Sequence, residues 1–183
     1  LSTINRYIVF AKKGKYDVKD RITLIRELRK NYSVYFRIVD IRFASEHIEI
    51  DLISNQLSNL SKLKSLFELT CIRDLNIELK IDAFLLAKYF FNKERFWEVH
   101  EILENVWKKK EGNEKKILHG LILLAASYVH LQRGREKVAL EVLQRSYDEF
   151  IDFKVKYRIF DLDLIKNMIE RMLKDKKMVM FKI

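Results

Sequence analysis

The hydrophobic period of the chain changes once, near residue 80. Before that point, strand-like runs alternate with helical spacings. The segment "RYIVFAK" (6–12), rich in β-branched and aromatic residues, reads as a strand. In "DVKDRITLIRELRKN" (17–31), Val18, Ile22, Ile25 and Leu28 recur at helical spacing, with Asp17 placed as an N-cap. "VYFRIVDIRFAS" (34–45) and "HIEIDLIS" (47–54) read as strands joined by a tight hairpin or one bent ribbon. "NQLSNLSKLKSLFELT" (55–70) sets Leu57, Leu60, Leu63 and Phe67 on one stripe and predicts a second helix. "CIRDLNIEL" (71–79) supplies a fourth strand. The order β-α-β-β-α-β is that of the ferredoxin-like split unit, and residues 1–78 are expected to form that domain.

Beyond residue 80 the period is helical throughout. Helices are expected at about 82–92, 94–110, 115–131, 135–150 and 161–176, with Asn92, Gly112 and Gly134 at the breaks. Asp161 is suited to cap the last helix. "AKYFFNKERFWEVHEIL" (87–103) aligns with "ASYVHLQRGREKVALEV" (126–142) at a period of 39, each copy being a helix, a turn and a helix. The expected fold is thus α+β: a ferredoxin-like domain followed, over 80–183, by an all-α bundle of two related helical hairpins.

Composition narrows the class. The chain has 183 residues, no proline and four glycines, which excludes a Pro/Gly linker and a glycine-rich phosphate loop and suits long helices. Half the residues are hydrophobic and a third charged, the balance of a folded chain. "ILHGLILLAASYVHL" is too short to span a membrane, and the N-terminus lacks a signal-peptide pattern. The lone Cys71 has no internal disulfide partner, so a cytoplasmic location is expected. The net charge of +10 favours anionic partners, but it is spread over both halves.

Candidate chemistry centres on "HEILE", His100 to Glu104, one residue away from the zinc-hydrolase pattern H-E-x-x-H. Phe96, His100, Leu103 and Trp107 fall on one helical stripe, and Glu104 lies one turn beyond His100. That phase predicts a buried, hydrogen-bonded His100–Glu104 pair with Glu101 on its shoulder. An antiparallel helix 115–131 would set the small residues Ala125, Ala126 and Ser127 opposite His100, with Gly120 allowing close packing. The second His of the zinc motif is missing, and His119 and His130 lie off the level of His100, so no metal and no other cofactor are expected. Two readings stay open: a structural polar core, and an acid–base site using His100 with Glu101 and Glu104.

The run Trp97, His100, Glu101, Glu104, Trp107, then Gly120 to Ile122, then His130 near Arg133 and Gly134, resembles the prokaryotic domain-of-unknown-function family numbered 309. The resemblance covers about residues 82–150. The chain departs from the family pattern at Leu123, Arg135 and Val138. The resemblance implies a small all-helical domain and supplies no activity.

Nucleic acid is the other class to weigh. If Ile48, Ile50 and Leu52 face the helices, the opposite sheet face shows His47, Glu49 and Asp51, and acids there repel phosphate. The tail "KDKKMVMFKI" is basic then apolar, suited first to a final strand or a docked terminus and otherwise to a membrane surface or a partner. The sequence therefore points first to a non-enzymatic interaction or assembly module with a structural His–Glu core. A small hydrolase-like enzyme and a nucleic-acid-associated protein are the alternatives. A protein partner or a second copy is the expected company.

Overall fold

The structure, a computed structural model, describes residues 4–153 and 156–183; the first three residues of the expected N-terminal domain lie outside the described residues. The chain divides into two compact units, Leu1–Leu79 and Lys80–Ile183. The architecture is mixed α and β, an antiparallel four-strand sheet followed by helices. No helix among the described residues is long and apolar enough to cross a membrane.

In the first unit, β1 (Asn5–Lys12), β2 (Arg37–Phe43), β3 (His47–Ser54) and β4 (Leu69–Asp74) form a sheet of order β2-β3-β1-β4. Every neighbouring pair is antiparallel. The connection from β1 to β2 carries helix α1 (Arg21–Tyr32), preceded by one 3-10 turn at Val18–Asp20. Asp17 and Asp20 close that turn reciprocally, side chain to backbone in both directions. Because α1 itself begins at Arg21, its buried stripe is Arg21, Leu24, Ile25 and Leu28, and Ile22 is half exposed rather than inward. One core joins Leu24, Ile25 and Leu28 to Val9 and Ala11 of β1, Ile48, Ile50 and Leu52 of β3, and Leu60, Leu63 and Phe67.

The connection from β3 to β4 is not the α-helix expected over 55–70. It is a 3-10 helix over Leu57–Ser65. Ser58, Ser61 and Ser65 interrupt the segment, and such side chains compete for backbone hydrogen bonds; Ser65 Oγ donates to Lys62 O at 2.9 Å. Leu60 and Leu63, spaced by one 3-10 turn, are fully buried, while Leu57 is exposed. β4 starts at Leu69 and ends at Asp74, where Asn76 N donates to the Asp74 carboxylate and turns the chain.

The alternate residues of the sheet also differ from expectation. Glu49 and Asp51 are not displayed to solvent; both are 0% exposed. Arg42 stands opposite Glu49 in the β2–β3 register. Its guanidinium donates to Glu49 at 2.6 Å and to Asp51 at 3.2 Å, and lies 3.4 Å from Asp40. Arg6 takes both oxygens of Asp51, at 2.9 and 2.8 Å, and Arg21 pairs with Asp40.

The second unit holds α2 (Ala83–Phe91), α3 (Phe96–Trp107), α4 (Gly112–Gln132), α5 (Glu136–Phe150) and α6 (Leu162–Asp175). A two-residue ladder, β5 (Lys156–Tyr157) with β6 (Phe160–Asp161), precedes α6. Asp82 caps α2 by accepting from Phe84 N and Leu85 N, and Asp161 caps α6 by accepting from Leu164 N. Two interhelical turns close alike. Glu94 (φ 58°) and Gly134 (φ 72°) are left-handed. Arg95 N donates to Phe90 O, and Arg135 N to His130 O. These turns equate residues 40 apart, one more than the spacing read from the sequence.

Phe96 stacks on Tyr128 at 4.5 Å, and Phe91 meets both edge-on. The C-terminal tail forms no strand. It docks on this aromatic cluster through Phe181, through Tyr128 Oη donating to Val179 O at 2.6 Å, and through Asn92, whose side chain accepts from Ile183 N and donates to Ile183 O.

Candidate functional site

Helix α3 carries the motif, and its inward face is set by Phe96, Val99 and Leu103, all buried. Phe96 meets Tyr128 near the end of α4, and Trp107 meets His119 near its start, so α3 and α4 run antiparallel. The centre of the inward face falls between Val99 and Leu103. His100 then lies about 100° round the helix from Val99, on the shoulder rather than in the core. The buried carboxylate of α3 is a different one. Glu98 is 4% exposed, and both its oxygens accept from Arg95, at 2.6 and 2.7 Å. The predicted buried His100–Glu104 core is therefore corrected: the stripe turns one residue away from it.

His100, Glu101 and Glu104 instead share an accessible face. Their side chains are 30%, 45% and 35% exposed. His100 Nδ1 stands 3.3 Å from Glu101 Oε1, and Glu104 lies 3.4 Å from Lys108 Nζ. One nitrogen and two carboxylate oxygens from these three residues lie within 4.8 Å of one another. Such a set can exchange a proton between imidazole and carboxylate. It also offers three ligand atoms, a feature that the missing second His had hidden.

The other sequence candidates are placed as follows. Trp97 is partly buried one turn before His100 on α3. Gly120 is a packing residue: a Cβ there would sit 2.7 Å from Phe150 Cε1, and Gly120 O accepts from Ser146 Oγ. Ser127 is buried and turns its hydroxyl back to Leu124 O at 2.7 Å, away from any chemistry. His130 sits at the end of α4; burial, then Arg133 and Arg135, hold its imidazole below the usual range. Neither His119 nor His130 belongs to the three-ligand group. His119 instead directs Nδ1 at Glu149 Oε1 of α5, 2.8 Å away, and its ring lies 5.9 Å from that of Trp107.

Sequence reasoning missed two pairs. Arg95–Glu98 has a signal, opposite charges three residues apart at a helix start. His119–Glu149 has none, since thirty residues separate the partners.

No curated protein matches the chain. A conserved hypothetical protein from Thermus thermophilus, known from a crystal structure, is similar at 27% identity; the match covers 52% of this chain and 99% of that one, with a TM-score of 0.45. Residues 84–142, a span that contains Trp97, His100, Glu101, Glu104, Trp107 and His130, match the family described as Domain of unknown function (DUF309).

Proposed function

We propose that the helical unit carries an acid–base site of hydrolase-like kind, formed by His100, Glu101 and Glu104. One observation carries this reading: the reactive atoms of the three side chains converge within 4.8 Å while each side chain stays open to solvent. Glu101 accepts the Nδ1 proton of His100, which orients the ring and leaves Nε2 to take a proton from water or a hydroxyl. The imidazolium so formed returns that proton to the leaving group, and Glu104, the second carboxylate at the same face, stabilises its positive charge. The test is turnover of chromogenic carboxylic and phosphate monoesters by the full chain. Turnover that falls about 100-fold in His100→Ala supports the site. A panel left unhydrolysed, or hydrolysed equally by His100→Ala, overturns it.

A second reading, the interaction or assembly module, is favoured by a specific feature. Ile81, Leu85 and Tyr89 repeat every four residues along α2 and its approach, each more than half exposed. Leu85→Lys should abolish any self-association detected by sedimentation; a parent chain that sediments as a monomer at all concentrations counts against self-association.

The N-terminal unit is read as ferredoxin-like, supported by the strand order and the two crossovers, one of them 3-10 rather than α. The α2–α3 and α4–α5 pairs are read as related hairpins, supported by their shared turn bonds. The division of the chain into two compact units supports separate folding of 80–183. The exposed Cys71 thiol suits a reducing compartment. A nucleic-acid role loses its main objection, because Glu49 and Asp51 are matched by arginines, but it gains no positive feature on the sheet.

A further inference from the structure

We propose that Trp107, Lys115 and His119 form a binding site for a phosphate group. This site is separate from the acid–base reading and rests on its own observations. Trp107 ends α3, and its indole Nε1 is buried with no hydrogen-bond acceptor among the described residues. A buried N–H of this kind calls for an acceptor. The ammonium group of Lys115 lies 4.9 Å from the Trp107 ring centroid, and the His119 ring 5.9 Å from it. An indole N–H, an ammonium group and an imidazole thus gather at one aromatic residue.

The local charge fixes the sign of the ligand. The turn "KKKEGNEKK" (108–116) carries five lysines and two glutamates. The carboxylates around it are already engaged: Glu104 by Lys108, Glu114 by Lys110 and by Tyr157 Oη, and Glu149 by His119. The Tyr157 hydroxyl, then Lys110, hold Glu114 below the usual carboxylate range. Glu111, at the start of α4, is exposed. Lys115 itself lies over the aromatic ring. With His119 Nδ1 turned to Glu149, the ring's Nε2 is the atom left to share a proton with a ligand oxygen. A phosphate supplies what the three groups lack together: an oxygen acceptor for the indole N–H, negative charge for the ammonium, and a second oxygen for the imidazole.

The indole N–H resonances of Trp97 and Trp107, two in all, give a direct readout. The full chain is titrated with inorganic phosphate at fixed pH and ionic strength, with acetate and chloride as controls. The Trp107 resonance should move saturably with phosphate. Lys115→Gln and His119→Asn should each weaken that response at least about tenfold, with unchanged thermal melts showing that they remain folded. A short single-stranded oligonucleotide distinguishes the source: if it displaces inorganic phosphate from the site, the group comes from a nucleic-acid backbone; if it leaves the titration unaltered, free phosphate or a small phosphate ester is the ligand. A Trp107 resonance that ignores phosphate, moves equally with chloride, or responds undiminished in Lys115→Gln overturns the proposal.

Discussion

Arg42 with Glu49 and Asp51, and His100 with Glu101 and Glu104, are charged groups gathered by regular backbone in opposite surroundings. The first set is removed from water and paired throughout the strand register. Burial pushes the Glu49 carboxyl up, but Arg42 and His47 outweigh it and leave it below its usual range. Burial likewise opposes the Arg42 charge, and Glu49 and Asp51 hold it all the more firmly protonated. Arg42 and Glu49 therefore both stay charged inside the fold. The second set keeps about a third or more of its side-chain surface in water and is only loosely joined, at 3.3 Å. Charges buried against opposite charges specify a fold, whereas charges gathered but left open remain available for chemistry.

The contrast breaks most visibly at Arg42. Arg42→Met leaves three carboxylates around an uncharged side chain and should destabilise the full chain by about 3–5 kcal/mol in denaturant melts. A loss under about 1 kcal/mol would place the network in the same class as the open site. The next effect is steric. Gly120→Ala sets a methyl group 2.7 Å from the Phe150 ring, for an expected cost of about 1–3 kcal/mol. Phe150→Leu in the same chain should return part of that loss.

Acid sharpens the comparison further. Since Glu49 is held below its ordinary value in the fold, the unfolded chain binds the extra proton between the two values. Its stabilising share is fully present above the unfolded carboxyl value of about 4.3, and is lost as the pH falls through the folded value. Glu49→Gln should flatten that acid limb of the stability profile. His130 acts higher on the scale and more weakly. Its folded value also lies below the usual 6.5, so the unfolded chain again binds more protons in between. Stability should decline slightly as the pH drops from neutral through about 6.5 towards the folded value, and His130→Gln should remove that slope.

The sequence exposed those features that depend on local period. The alternation Ile48, Ile50, Leu52 located the core face of β3, and Asn92, Asp161 and Gly134 marked helix ends through backbone chemistry that acts over a few residues. The 3-10 connection was hidden because its leucines fit a helical stripe while its serines weaken the helix that the stripe suggests. The buried stripe of α3 includes Val99 where the predicted stripe has His100. Reading Trp107 as inward drew His100 into the stripe, whereas Val99 and Leu103 set the buried face. Partners far apart in the chain, Arg42 with Asp51 or His119 with Glu149, become neighbours only through register and helix packing.

The double-mutant cycle on His100 and Glu104, read by denaturant melts of the full chain, bears most directly on the open character of the site. His100→Ala and Glu104→Leu should each change stability by no more than about 1 kcal/mol, and the double substitution should equal the sum of the two within about 0.5 kcal/mol. Single losses of about 2 kcal/mol or more, with strong coupling between them, would show a buried and mutually dependent pair and contradict the account.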